Sequence, residues 1–257
     1  MTLLATRSLD IAVAGKTLCR GLDWSITAGE RWAILGTNGA GKTTLLHTLA
    51  GLRVPAQGEV LLEGKGVGQL TRRAIAQRIG LLPQDSSDPF PATVWETVVM
   101  GRHPHIRGWS GESEQDLQLA HEAMARCELE GWEERPIASL SGGERRRVAL
   151  ATLLTQQPAL LLLDEPANHL DLRHQAMLFA LMKRLCEEGR AVVMVLHDPN
   201  HARHHCTHAL LLYGDGRWES GTSESVLTAG RLTQLYGHPL KLVSGNGVSL
   251  FVPMATP

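Results

Sequence analysis

The period of the apolar positions changes along the chain, and each change marks an element. Over the first 35 residues they come in short stretches broken by turn signals at Ala14-Gly15 and Ala28-Gly29, which predicts a strand-rich start. Residues 31–35, with Trp32, Ile34 and Leu35, predict a buried strand running into a glycine-rich loop. Beyond the loop, Leu45, Leu46 and Leu49 share a helical face that stops at Gly51. A capping pattern, Ser113-x-x-Asp116, then opens a helix whose Leu117, Ala120, Met124 and Cys127 fall 3, 4 and 3 residues apart. With its proline-rich flanks, the stretch 85–139 is expected to form a helical insertion. From Ser141 the chain alternates: a helix, a strand at 159–163, a helix over 172–188 closed by Gly189, a strand at 191–196, and another helix. Strands separated by helices of this length predict βα units and a mostly parallel sheet. Asn246-Gly247, between the apolar segments 240–243 and 248–252, predicts a small hairpin.

Composition narrows the possibilities. The 257 residues carry 25 Lys and Arg against 26 Asp and Glu, a net charge of −1. Without a basic block, non-specific binding to nucleic acid or anionic lipid is excluded as the main activity. A hydrophobic fraction of 43% with 20% charged residues is that of a globular protein, not a disordered one. Six of the few aromatic residues are Trp, which are expected to pack in cores or interfaces. The longest apolar runs, 159–163 and 191–196, fall far short of the roughly 20 residues of a membrane span. No sustained apolar segment marks the N-terminus as a secretory signal, and Cys19, Cys127, Cys186 and Cys206 are scattered without metal-like spacing. A cytosolic chain with reduced thiols is expected.

Three motifs carry chemistry. GTNGAGKTT, residues 36–44, satisfies G-x-x-x-x-G-K-[ST] between a predicted strand and a predicted helix. Its glycines let backbone N–H groups close around phosphate oxygens, Lys42 supplies a point charge to the β- and γ-phosphates, and the Thr43 hydroxyl can ligate Mg²⁺. An accidental glycine-rich turn rarely falls between a strand and a helix. LLLLDEP, residues 160–166, ends an apolar strand in two carboxylates. There Asp164 would hold Mg²⁺ through water, and Glu165 would orient or deprotonate an attacking water. LSGGERRR, residues 140–147, contains the capping box Ser141-x-x-Glu144. It also bares backbone N–H groups at a helix N-terminus, a second anion site in a chain that already has one. One nucleotide has no obvious use for both within a single copy, so two copies facing each other are expected.

In this order, GTNGAGKTT, Gln84 in LLPQD, LSGGE, LLLLDEP, Asp171 in ANHLD and His197 in VLHD resemble the motifs of the ATP-binding subunits of ABC transporters, over nearly the whole chain. The resemblance implies a single ABC ATPase domain: an α/β P-loop core with a β-rich N-terminal subdomain (1–84 and 140–257) and an α-helical subdomain (85–139). It implies ATP and Mg²⁺ as cofactors, with Gly36, Asn38, Gly39, Ala40, Gly41, Lys42, Thr43 and Thr44 on the phosphates of one copy. Ser141, Gly142 and Gly143 of the other copy would complete that site. Asp171 would bridge the two sites, Gln84 would sense the γ-phosphate and the permease and hold the metal with Thr43 and Asp164, and Gln84, Glu165 and His197 would act in hydrolysis. The segment TVWETVVMGRHPH, residues 93–105, is similar to that of subunits importing iron–siderophore, haem or cobalamin complexes. The family resemblance as a whole implies a homodimer peripheral to the cytoplasmic face of the inner membrane, on permease subunits and indirectly served by a substrate-binding protein, with no nucleic-acid partner. Export, or a non-transport ABC ATPase, is the alternative. Val13 stands where the family has an adenine-stacking aromatic residue, and Thr37 where proline is common. The histidines 197, 201, 204, 205 and 208 are expected to form a polar helix face in preference to a zinc site.

Overall fold

The computed structural model describes residues 1–84, 91–106, 111–168, 170–245 and 247–254. β1 (Thr2–Val13) and β2 (Lys16–Thr27) pair antiparallel across Ala14-Gly15, whose φ angles of 49° and 80° suit a tight hairpin turn matched to strand twist. β3 (Arg31–Leu35) leads into α1 (Lys42–Leu49), and Gly51, at φ 68°, turns the chain away after the helix. β4 (Gln57–Leu62) and β5 (Lys65–Gly66) join the first pair in an antiparallel sheet of order β2-β1-β4-β5. Then come α2 (Arg72–Ala76), β6 (Ile79–Leu82), α3 (Val94–Val99), α4 (Glu114–Arg126) and α5 (Gly142–Thr155). The rest alternates through β7 (Leu160–Asp164), α6 (Leu172–Glu187), β8 (Ala191–Val195), α7 (Pro199–His205), β9 (His208–Leu212) and β10 (Trp218–Thr222). α8 (Ser223–Val226), α9 (Ala229–Tyr236) and the hairpin of β11 (Leu240–Gly245) and β12 (Val248–Pro253) follow.

The main sheet runs β10-β9-β3-β8-β7-β6, parallel throughout except for β10. β7 and β8 are buried at every position, because a parallel sheet is covered on both faces, and their sequences are accordingly unbroken apolar runs. Alternate residues face opposite layers. Leu161, Leu163, Val192 and Met194 share a core with Val98 of α3, Met124 of α4, Ala151 of α5 and Met182 of α6. Leu160, Leu162, Ala191 and Val193 share another with Leu45, Leu46 and Leu49 of α1 and with Leu22 and Trp24 of the antiparallel sheet. Trp24 meets Trp32 edge-on at 5.0 Å. This strand order sets the carboxyl ends of β3, β8, β7 and β6 side by side, where ligands of α/β sheets bind.

Helices α3, α4 and α5 pack on one another, and each begins with a complete capping box, from Thr93, Ser113 and Ser141. Arg102, 7% exposed, ties the turn after α3 to both other helices: its Nε donates to Asp116 Oδ1 at 2.7 Å and its Nη1 to the Thr155 carbonyl at 3.0 Å. The Ser113 bonds, with Arg102 beside it, hold the Asp116 carboxyl down to about 2.

Most predicted elements lie within a residue or two of their expected ends. β7 is displaced one residue toward the acids, so that Asp164 belongs to the strand. The elements between Gln57 and Leu82, and those from His208 to Tyr236, were not anticipated. Asp85, the expected start of the insertion, and Asn246 of the expected hairpin turn lie outside the described residues.

The turn after α3 meets α5 backbone against backbone at Gly101, where a Cβ would lie 2.2 Å from the Thr152 carbonyl oxygen. Gly101→Ala is therefore expected to force the helices apart and lower stability by about 2 kcal/mol. Urea unfolding of the purified chain checks this.

Candidate active site

The loop between β3 and α1 owes its shape to glycines. A Cβ on Gly36 would lie 2.6 Å from the Leu212 carbonyl oxygen, and one on Gly41, at φ 98°, would lie 3.0 Å from Leu18 Cδ1. No side chain caps α1, so its first N–H groups remain available to an anion. Lys42 is 6% exposed, and its Nζ donates to the Gly36 carbonyl at 2.8 Å and the Thr37 carbonyl at 3.0 Å. Burial lowers the Lys42 ammonium below its ordinary range, while Glu165 and Asp164 oppose that shift.

The acids at the end of β7 face this loop. Glu165 adopts φ 49°, a left-handed conformation that costs about 1–3 kcal/mol for a non-glycine residue and here re-aims the side chain just past the strand. One carboxylate oxygen, Oε1, lies 2.5 Å from His197 Nε2. The other accepts from Gln84 Nε2 at 3.0 Å and from Asn168 Nδ2 at 2.5 Å. The ends of β6, β7 and β8 thus meet at one carboxylate. Arg146, one turn into α5, supports them from behind by donating to the carbonyls of Pro83, Gln84 and Asp164. Neither Asn168 nor Arg146 was identified from sequence. Asn168 is legible afterwards as the residue three beyond Glu165 in a turn closed by its own N–H.

Asp164 is 1% exposed, and among the described residues neither of its carboxylate oxygens has a hydrogen bond of good geometry, although the Thr43 hydroxyl stands close enough to favour the charged form. Burial, with Glu165 beside it, raises its carboxyl above the ordinary value. A buried, under-satisfied carboxylate beside a threonine hydroxyl, at the foot of a phosphate-type loop, fits a hydrated Mg²⁺.

The loop and the acid side face each other across a cleft of about 670 Å³, which Asp164, Asn168 and Arg146 do not line. Asn38, Gly39, Gly41, Lys42, Thr43 and Thr44 form its loop side, Gln84, Glu165 and His197 its acid side, and Val13, Lys16 and Leu18 the wall from the β1–β2 hairpin. Of the predicted phosphate-loop residues, Gly36 sits at the base of the loop and Ala40 is buried, its Cβ 3.1 Å from where a Cβ on Gly36 would lie. Ser141, Gly142, Gly143 and Asp171 are not among the lining residues. Ser141 caps α5 and is exposed, with its N–H on Glu144 Oε2 at 2.7 Å. Asp171, also exposed, caps α6 and accepts from His174 Nδ1 at 2.8 Å. Of the histidine series, His201 and His205 both pack on Phe179, at 5.0 and 4.1 Å, and His208 stacks on Trp32 at 4.7 Å; among the described residues no group of His, Cys, Asp and Glu is placed to hold a metal ion.

The model of the ABC transporter family matches residues 19–168, more than half of the chain. The chain belongs to the ABC transporter family. It is 39% identical to a hemin import ATP-binding protein of Streptomyces coelicolor, over 99% of this chain and 91% of that protein. Its fold is similar to that of a chain from a transporter described as metal-chelate type, in an inward-facing conformation, with a TM-score of 0.87, 29% identity and coverage of 99% and 98%. It is also similar to a dimeric ATP-binding cassette in a post-hydrolysis state bound to ADP and phosphate, with a TM-score of 0.74, 28% identity and coverage of 84% and 98%. The chain is an ATPase whose ABC domain binds ATP. Among the described residues no helix is long and apolar enough to cross a membrane.

Because Asp164 is raised in the folded chain, its ionised form costs stability at neutral pH. That cost disappears as pH falls through the folded value toward the ordinary carboxylate range. Asp164→Asn is expected to raise the melting midpoint at pH 7 by about 3 °C. The gain over the parent should shrink on acidification, which scanning calorimetry from pH 7 to pH 4 measures.

Proposed function

We propose that this ATPase powers import of a metal chelate through membrane permease subunits, working as a head-to-tail homodimer on the cytoplasmic face of the membrane. The observation that carries the reading is the split between two anion-binding helix starts. The glycine loop and α1 meet Glu165 within one copy, whereas Ser141 and the start of α5 are exposed and line no part of that cleft. Two copies arranged head to tail would place Ser141, Gly142 and Gly143 of each over the nucleotide of the other, with the exposed Asp171 between the sites. The similarity to a cassette dimer bound to ADP and phosphate supports this arrangement.

Each group has a task that its position suits. The loop from Gly36 to Thr44 holds the phosphates, and Lys42 moves from loop carbonyls to the β- and γ-phosphate oxygens. Thr43, Gln84 and Asp164 would hold Mg²⁺, which when bound neutralises phosphate charge and aligns the terminal phosphate. Glu165 accepts a proton from the attacking water as its oxygen bonds to the γ-phosphorus. The bond to the bridging oxygen breaks, and ADP leaves with the electron pair. His197 and Gln84 keep that carboxylate and the γ-phosphate in register, and Asn168 restrains its second oxygen. Loss of the γ-phosphate then removes the charge that binds the copies together. Val13, which lines the cleft with Leu18 and Lys16, would offer the base an aliphatic wall in place of a ring.

The metal-chelate cargo and the direction of transport rest on the likeness to the hemin import protein and to the metal-chelate type transporter. The helical subdomain, residues 85–139, would meet the permease, and a substrate-binding protein would act on the far side without touching this chain. Affinity purification of the tagged chain from native membranes should recover a polytopic permease. Recovery of ribosomal or DNA-repair proteins alone would overturn the transport reading.

Glu165→Gln removes the proton acceptor but keeps the shape of the side chain. Turnover should fall by roughly 10²–10⁴-fold while an ATP-bound dimer accumulates in gel filtration. Ser141→Arg places a bulky cation where the two copies would meet. Nucleotide binding by the single copy should persist and ATPase activity should be lost; unchanged turnover would remove the case for the sandwich.

A further inference from the structure

His197 reaches Glu165 through its ring, yet 44% of that side chain is exposed, so packing around the ring does little to fix it. Its backbone is instead held by the last elements of the chain. The Tyr236 hydroxyl, at the end of α9, donates to the His197 carbonyl at 3.3 Å. Asp198, the next residue, caps α7 by accepting from the Asn200 N–H at 2.8 Å. The Asn200 carboxamide then grips β12 at two points. Its Oδ1 accepts from the Phe251 N–H at 2.7 Å, and its Nδ2 donates to the Phe251 carbonyl at 3.2 Å. A carboxamide paired with both backbone groups of one residue acts as a short length of sheet ladder and fixes register as well as distance. Phe251 is 3% exposed and belongs to the core that holds Ala202 of α7 and Leu232 and Leu235 of α9. The hairpin is fastened to α9 by the Leu240 N–H, which donates to Thr233 Oγ1 at 2.9 Å.

We infer that Asn200 and Tyr236 are positioning residues for His197, and that the β11–β12 hairpin is the rear support that sets where its ring stands against Glu165. This rests on the role given to His197 above. Neither residue lines the nucleotide cleft, so neither touches the substrate. The physical requirement is one of tolerance: a displacement of about 1 Å in a reacting constellation can slow turnover about a hundredfold without weakening substrate binding. An exposed ring on an anchored backbone meets that tolerance only as well as its anchor does.

The test is steady-state ATPase activity of the full-length chain, with kcat and KM determined separately. Asn200→Ala should lower kcat about tenfold and leave KM within about twofold. Tyr236→Phe removes a single oxygen at a long hydrogen bond, keeps the fold, and should lower kcat about two- to threefold. Introduced into His197→Ala, neither change should slow the residual rate further, because the group they position is gone. Parent kcat in both variants beside a slow His197→Ala would overturn the inference and leave the active-site reading intact. An equal loss in the His197→Ala background, or a loss confined to KM, would overturn it as well. A His197→Ala variant that turns over at the parent rate would instead remove the role of His197 itself, and with it the need for an anchor.

Discussion

The carboxylate of Glu165 is gripped by His197, Gln84 and Asn168, and the rest of the site is arranged around that grip. A side chain just past a buried strand would ordinarily continue the strand's direction. The left-handed backbone at Glu165 breaks that direction and turns the acid toward the glycine loop. The strained conformation persists because two neighbouring strands deliver partners to both carboxylate oxygens. That delivery depends on strand order, since β8 lies between β3 and β7, and β6 lies on the far side of β7. A different order would leave the same residues on the same strands and scatter them.

Charge burial explains why so much apolar structure stands behind so small a constellation. Lys42, Asp164 and Arg146 are each less than a tenth exposed, and desolvation works against the charged forms of the first two. The sheet beneath them carries no polar side chain from Leu160 to Leu163 or from Ala191 to Val195. Those strands supply apolar burial that offsets the cost of holding ions at their ends. Arg146 turns its own burial to use by bonding the carbonyls where β6 and β7 finish, which fixes the distance between Gln84 and the two acids.

Local spacing made the loop at 36–44, the acids after β7 and the caps at Ser113 and Ser141 legible, because each is a contiguous pattern with its own physical cause. The parallel sheet followed from alternation of strand and helix. What escaped was of two kinds. The short elements between Gln57 and Leu82 have mixed composition and little period, and β4 exists because β1 offers it an edge, as β4 in turn does for β5. Asn168 and Arg146 escaped because their partners are decided by tertiary closure. An arginine in LSGGERRR is indistinguishable in sequence from its exposed neighbour Arg145 until α5 packs against the ends of β6 and β7. The same holds for Trp24 and Trp32, whose edge-on contact spans two sheets.

The two helix starts differ in how their free N–H groups are answered, and the difference bears on how two copies would cooperate. α1 has no side-chain cap, so a phosphate there meets bare donors and displaces nothing but solvent and the Lys42 bonds to loop carbonyls. α5 is capped by its own Ser141 and Glu144, whose carboxyl the Ser141 bonds hold below its usual range, so its start is stable without a ligand. A site of the first kind binds strongly and alone; one of the second kind contributes only when an anion is presented to it at close range. On a head-to-tail arrangement the order of events follows from that contrast. Nucleotide would first fill the loop of each copy, and the exposed α5 starts would then close over charge already fixed in place. Loss of one phosphate would leave the loop still occupied while removing what drew α5 in, so opening would follow hydrolysis without requiring release of the nucleotide.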